Sequence, residues 1–106
     1  MKVYIAGAWG RRWDNPFQEV VAYAAARGWE ITYRWWFDEQ NTWEKAAADL
    51  QGVRDADILI AVMNEPGYHH QGTWVELGYA LALGKPVVVL GYEGDSCPFI
   101  KHPAVR

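Results

Sequence analysis

Two acidic residues occupy positions at which a carboxylate could do chemistry. Glu76 falls in the first turn of a predicted helix that opens at Gly72-Thr73, where the helix dipole favours the ionised carboxylate that a nucleophile needs. Asp49 lies about 90° from the centre of the apolar stripe of the preceding predicted helix, counting ~100° per residue, so it can lean over the end of a sheet. Each of these two residues also has an interpretation in which it takes no part in chemistry. The spacing Thr73-x-x-Glu76 fits a capping box, and an Asp on a helix flank is ordinarily solvated surface.

Glycines mark positions at which a ligand or another segment could approach the backbone closely. Gly7 and Gly10 lie beside Arg11 and Arg12 after the first predicted strand, which suits a small anion, although a tight turn with two solvated arginines is equally expected. The third glycine of G-x-G-x-x-G is missing, so a full dinucleotide site is not expected. Gly78 lies inside a predicted helix, where glycine costs roughly 1 kcal/mol relative to alanine, and this suggests close approach.

The pair His69-His70 precedes the helix of Glu76 by a few residues. Adjacent histidines rarely share one metal, and no cysteine or acidic partner stands at ligand spacing, so we expect no metal and no other cofactor. These rings could donate hydrogen bonds to a substrate phosphate or a sugar hydroxyl. Alternatively, they are solvated loop residues.

The elements that must position these groups alternate along the chain. Strands are predicted at 2–7, 29–36, 57–63 and 86–90, and helices at 15–28, 42–53 and 72–84, with Asn15 and either Asn41 or Thr42 as caps. This order predicts an α/β fold, a doubly wound parallel sheet of four or five strands with helices on both faces. Ligands bind such sheets outside the carboxyl ends of the strands, which directs attention to residues 7–13, 35–41, 64–73 and 91–98.

Composition restricts the function classes. The 106 residues predict a single domain over 1–106, and the net charge of −3 argues against a nucleic-acid partner. Apolar runs are strand-sized and no export signal is evident, so we expect no membrane partner and a cytoplasmic location. The single Cys97 excludes an intrachain disulfide.

Seven tryptophans are an unusual number for so short a chain. Large aromatic rings with a polar N–H serve cores, interfaces and the walls of pockets for flat ligands. A domain of this size cannot easily bury all of them, and exposed aromatic patches commonly mark interfaces. We therefore expect a homodimer or a higher closed homo-oligomer.

Several segments together resemble the nucleoside 2-deoxyribosyltransferase family, which includes deoxyribonucleoside 5′-monophosphate N-glycosidases. They are DLQGVRDADILIAVM at 49–63, GTWVELGYA at 72–80, GKPV at 84–87 and the opening VYIAG at 3–7. The resemblance covers nearly the whole chain. It implies an enzyme that transfers or hydrolyses the N-glycosidic bond of a nucleoside or nucleotide.

The resemblance also implies roles for individual residues. Glu76 matches the nucleophile that attacks the anomeric carbon, Asp49 the acid that assists proton transfer or orientation, and Tyr4 a tyrosine that positions the nucleophile. Trp9, Trp35 and Trp36 could then flank the base. The residues expected to bind substrate are Gly7, Trp9, Arg11, Trp35, His70, Gly72 and Thr73.

Two departures from the family pattern bear on the reaction. Transferases carry an acidic residue six positions before the nucleophile, which contacts the 5′-hydroxyl, and His70 stands there instead. A polar residue near the chain end, matched loosely by Ser96, completes a neighbouring subunit's site in several members. We therefore expect 5′-monophosphates to be used better than nucleosides, with His70, Arg11 and Arg12 near the phosphate and water competing as acceptor.

Two other function classes remain open from the sequence. One is a catalytically silent nucleotide-binding or sensor protein on the same fold, which would have no need of a nucleophile. The other is a flavodoxin-like FMN binder, which the absence of a Ser/Thr-rich phosphate loop after the first strand disfavours.

Overall fold

The structure, a computed structural model, describes residues 1–63, 70–91 and 102–106. In these ranges four parallel strands form one sheet in the order β2-β1-β3-β4. The strands are β1 (Lys2–Gly7), β2 (Glu30–Ile31), β3 (Ile58–Val62) and β4 (Val87–Leu90), and the helices are α1 (Asn15–Ala26), α2 (Trp43–Asp55) and α3 (Gln71–Ala82). The predicted parallel α/β fold is confirmed.

The helices cover the two faces of the sheet unequally. Helices α2 and α3 pack together on one face. Helix α1 lies over the other face, where Ile58, Ile60 and Val62 of β3 point toward it. The strands at the centre of the sheet, β1 and β3, are almost wholly buried, as the apolar runs of their sequences predict. Their carboxyl ends therefore form a rigid edge on which side chains can be held.

Helix ends follow the predicted signals with small differences. Gly28 and Gly84, the predicted stops of α1 and α3, have φ of 71° and 72°, a conformation that glycine adopts without strain. Thr42 caps α2 by accepting a hydrogen bond from the Lys45 backbone N–H at 3.3 Å. Helix α1 is capped by Asp14 rather than Asn15, which is already its first helical residue.

The second predicted strand is much shorter than expected. Only Glu30 and Ile31 pair with β1, and Trp35–Phe37 forms a turn of 3-10 helix. A strand would direct the adjacent side chains of Trp35 and Trp36 to opposite faces of the sheet. In the turn both indoles are buried, at 6% and 1% exposure. Burial of two large rings is therefore the physical reason for the early end of this edge strand.

The edge beyond β4 is occupied by the end of the chain. Val105 forms a parallel bridge with Val87, and the Val89 backbone N–H donates to the Arg106 carbonyl at 3.0 Å. Ser96 and Cys97 lie outside the described residues. In the ranges that the structure describes, none of the helices is both long and apolar enough to cross a membrane.

Large aromatic side chains remain on the surface. Trp13 and Phe37 meet edge to face with ring centroids 5.3 Å apart, and Trp43 is also exposed. Such a surface agrees with the expectation of a second copy, and the homo-oligomer stays a prediction.

Candidate active site

An open cavity of about 820 Å³ lies at the carboxyl edge of the sheet. One wall is made by the loop after β1 and by Trp35, and the opposite wall by the start of α3. Helix α2 closes the cavity from the side. The predicted substrate-binding residues that line it are Gly7, Trp9, Trp35, His70, Gly72 and Thr73, together with the two carboxyl groups of Asp49 and Glu76.

Some predicted residues do not reach the cavity. Arg11 does not line it, and its guanidinium pairs with the exposed carboxylate of Asp14 at 3.1 Å. Trp36 is buried behind the wall against Phe17, because the core takes up its ring. Arg12 is also outside the cavity lining and stacks on Trp9 at 3.7 Å. The neighbour His69 lies outside the described residues.

Glu76 is buried at the floor of the cavity beside Tyr4. The Tyr4 side chain, from the middle of β1, is fully buried, and its hydroxyl donates a hydrogen bond to Glu76 Oε2. Burial, with a smaller contribution from the charge of Asp49, raises the pKa of Glu76 to about 8, although the Tyr4 hydrogen bond and Lys45 lower it. Burial first, and then both carboxylates, raise the pKa of Tyr4 above its ordinary value. Tyr4 therefore keeps its proton and acts as a donor.

The alternative of a helix-cap role for Glu76 is wrong. Helix α3 begins at Gln71 with His70 as its cap, so Glu76 lies in the second turn, not the first. The hydroxyl oxygen of Thr73 is buried without a hydrogen-bond partner, so no capping box forms. At this depth the desolvation of the carboxylate outweighs the helix dipole, which acts mainly within the first turn. The expectation of a carboxylate ionised by the dipole is corrected accordingly.

Asp49 approaches the same point from α2. It is half-buried, and burial raises the pKa of its carboxyl, while Lys45 and the Tyr4 hydroxyl lower it. Its Oδ1 atom has no hydrogen-bond partner among the described residues, like Thr73 Oγ1. Buried polar atoms in native proteins are nearly always paired. Two such atoms on the lining of one cavity are therefore places where a ligand's hydroxyl or N–H group would bind.

Two tryptophans line the cavity, with their ring planes tilted by 38° to each other. Trp35 is fixed by a hydrogen bond of 2.6 Å from its Nε1 to the Ile5 carbonyl. Trp9, which is 43% exposed, lies 6.3 Å from it between ring centroids. Rings of this kind can contact a planar heterocycle without further hydrogen bonds.

Buried His70 contradicts the solvated-loop alternative. It is 1% exposed and precedes the first turn of α3. Within the described ranges no group of three or more His, Cys, Asp or Glu side chains is arranged to hold a metal ion.

Sequence reasoning missed two residues of this site. Lys45 lies on the cavity lining four residues before Asp49, a spacing that places both on one helix face. Gly52 packs on the Tyr4 ring so closely that a Cβ there would lie 2.9 Å from Tyr4 Cδ2. A glycine inside a predicted helix is the sequence signal for such close packing. The sequence predicted it at Gly78, which is also a glycine inside a helix. No described atom lies within 4 Å of a Cβ at Gly78, so that expectation is wrong.

Comparison with known proteins agrees with the resemblance of the sequence. The family model described as nucleoside 2-deoxyribosyltransferase matches residues 3–99. The chain belongs to this family. Its fold matches the structure of the CMP N-glycosidase BcmB from Clostridium botulinum with a TM-score of 0.74 and 20% identity, over 100% of this chain and 86% of that one. A search of curated proteins finds no match.

The predicted family is thus confirmed. Membership places the chain among enzymes that act on nucleosides or nucleotides.

The hydrogen bond from Tyr4 gives a prediction about Glu76 that needs no substrate. Tyr4→Phe removes a donor that favours the charged carboxylate. Because a hydrogen bond to a charged group is worth about 1.5–3 kcal/mol, the pKa of Glu76 should rise by roughly one to two units. We expect to measure this by NMR titration of ¹³C-labelled glutamate side chains, with Glu76→Gln to assign the resonance.

Tyr33→Phe is the matched control, because the Tyr33 hydroxyl donates to Asp38 at 2.8 Å and not to Glu76. It should leave the titration of Glu76 in place. An unchanged Glu76 titration in Tyr4→Phe would show that the hydroxyl does not set the charge of this carboxyl.

Proposed function

We propose that this protein breaks the N-glycosidic bond of a nucleoside or 2-deoxynucleoside, or of its 5′-monophosphate, with Glu76 as the nucleophile. The observation that carries the proposal is the buried Glu76 carboxyl, hydrogen-bonded by Tyr4 at the floor of an open cavity that also holds Asp49. Family membership and the fold shared with a CMP N-glycosidase support it.

The proposed reaction has two steps. A carboxylate oxygen of Glu76 attacks the anomeric carbon C1′ as the C1′–N bond breaks, and the electron pair of that bond stays on the base. Asp49 supplies a proton to the departing base. Water or a second base then attacks C1′, frees Glu76 and returns a proton to Asp49. Both steps pass through an oxocarbenium-like transition state, as in retaining glycosidases.

The charges of the site define the state that reacts. Burial raises the pKa of both carboxyl groups, and it raises that of Glu76 to about 8, so the resting Glu76 holds a proton at neutral pH. The negative charge of Asp49 raises the pKa of Glu76, so a proton on Asp49 favours the ionised Glu76. The proposed reactive state, with a neutral Asp49 and a charged Glu76, therefore forms when the proton passes from Glu76 to Asp49. A positive charge growing on the sugar stabilises this state further.

The direct test is Glu76→Gln, assayed with a panel of nucleosides and 5′-monophosphates, with and without a free base, by chromatography of the products. An amide keeps the shape and can still accept the Tyr4 hydrogen bond, but it cannot act as the nucleophile. We expect turnover to fall on the order of a thousandfold or more with the fold retained.

Glu39→Gln is the matched control, because Glu39 also lines the cavity but is exposed. It should keep most of the activity. Near-normal turnover by Glu76→Gln would contradict the role of Glu76 as the nucleophile. A wild-type protein that turns over no member of the panel would instead favour a binding protein on the same fold.

We further propose that the enzyme prefers 5′-monophosphates. His70 lies at the start of α3, where backbone N–H groups of the first turn are available to an anion. Arg11 does not line the cavity, so it is not included in this proposal. His70→Asp should shift the ratio of kcat/KM values toward the nucleoside, since a carboxylate repels a phosphate and accepts from a 5′-hydroxyl.

The measurement is kcat/KM of both proteins on deoxynucleosides and on their 5′-monophosphates. A wild-type protein that uses free nucleosides faster, and exchanges bases without net hydrolysis, would overturn the preference. A simple deoxyribosyltransferase would then be the better description.

A further inference from the structure

Lys45 is a cation in the cavity that the proposed reaction has not yet used. Its Nζ donates to the Trp35 carbonyl at 3.1 Å and lies 4.8 Å from the centroid of the Trp9 ring. The ion pairs found among the described residues are Lys2 with Glu30 and Arg11 with Asp14, and they do not include Lys45. An ammonium group has three donors. Lys45 therefore has donors to offer to a ligand.

Lys45 is close both to the two tryptophans and to the two carboxyl groups of the cavity. It projects from α2, one helical turn before Asp49, and its Nζ lies 4.8 Å from the centroid of the Trp9 ring and 5.6 Å from that of the Trp35 ring. Its charge lowers the pKa of both Asp49 and Glu76. A base that binds beside the tryptophans, with the anomeric carbon of its sugar over Glu76, would therefore have the ammonium within reach of its edge.

We propose that Lys45 is a further catalytic residue, which donates a hydrogen bond to the carbonyl oxygen of the departing base. This inference rests on the proposed function and adds the class of base. When the C1′–N bond breaks, its electron pair moves onto the ring nitrogen and spreads to a carbonyl oxygen on the adjacent carbon. The ammonium stabilises that charge until Asp49 delivers its proton to the base.

The donor character of Lys45 sets the substrate class. An ammonium donates hydrogen bonds and accepts none, so it fits a base with a carbonyl oxygen beside the glycosidic nitrogen. The 2-oxopyrimidines have this oxygen, and adenine does not. The structure thus favours 2-oxopyrimidine nucleotides as substrates.

The test compares leaving groups on one sugar. The 5′-monophosphates of 2′-deoxyuridine and 5-fluoro-2′-deoxyuridine differ only in the fluorine, which makes the base a better leaving group. Lys45→Met keeps the stem and removes the charge. We expect kcat on the uracil nucleotide to fall about ten- to a hundredfold, and to fall clearly less on the fluorinated one.

Two variants serve as controls. Lys45→Arg keeps the charge and should keep the ratio of the two rates near that of the wild type. Lys2→Met removes a lysine at the opposite end of β1, where its side chain is 55% exposed, and should change neither rate. An equal loss on both substrates in Lys45→Met would overturn the proposal. A loss confined to monophosphates, with nucleosides unaffected, would overturn it in favour of a phosphate contact.

A binding measurement keeps the inference separate from the proposed function. At about pH 9, 5-fluorouracil is largely an anion and uracil is largely neutral. Quenching of tryptophan fluorescence should show tighter binding of 5-fluorouracil by the wild type, and loss of that preference in Lys45→Met. Lys45→Met also raises the pKa of Asp49 and Glu76, which weakens their repulsion of the anion. That change would favour 5-fluorouracil, so a lost preference reports on Lys45. No difference between the two proteins overturns the base contact. The expected difference in a protein without turnover would support the contact and overturn the proposed function.

Discussion

The hydrogen bond from Tyr4 to Glu76 is the interaction on which the rest of the site depends. Glu76 is 8% exposed, and a carboxylate that loses most of its hydration is expensive unless donors replace the water. Burial raises its pKa to about 8, above the ordinary 4.5. The folded chain therefore binds a proton at Glu76 more tightly than the unfolded chain does. The stability that this gives is fully present below pH 4.5 and is lost as the pH rises through about 8. Loss of its negative charge stabilises a carboxylate that is buried at this cost. Attack on a sugar carbon removes the charge, because it converts the carboxylate into a neutral ester.

The fold fixes both partners of this bond. Tyr4 lies in the middle of β1, paired with Leu59 of β3, so its ring cannot shift along the sheet. Helix α2 rests on that ring through Gly52, where a Cβ would also lie 3.0 Å from the Cβ of Tyr33. Because no side chain separates helix and ring, Asp49 on the same helix is brought within electrostatic reach of both Tyr4 and Glu76. The arrangement of these three side chains is thus set by backbone packing more than by loops.

The order of strand and helix patterns in the sequence predicted the parallel sheet, and the family resemblance implied that Tyr4, Asp49 and Glu76 share one site. The sequence could not predict the course of the chain after β2. Aromatic and β-branched residues at 29–36 favoured a strand. Whether this segment pairs with the sheet or buries Trp35 and Trp36 depends on packing in the whole core.

Capping and electrostatics were also beyond the local pattern. The residues around Glu76 have capping-box spacing, yet the helix begins one residue earlier than predicted. The hydrogen-bond donor to the Glu76 carboxyl is Tyr4, which is 72 positions away in the sequence. Burial, which reverses the effect of the helix dipole on this carboxyl, is a property of the folded chain. Lys45 and Gly52 acquire their roles only when α2 is placed against β1.

The central claim is that Glu76 forms a covalent bond to the sugar, and mass spectrometry of a trapped intermediate tests it most directly. Incubation with a 2′-fluoroarabinosyl pyrimidine 5′-monophosphate slows both steps, because the fluorine destabilises the oxocarbenium-like state, and lets the intermediate accumulate. The account predicts release of the base, a mass increase equal to the fluorinated sugar phosphate, and an adduct mapped to the peptide that contains Glu76. Release of the base without any adduct, or an adduct on Asp49, would contradict it.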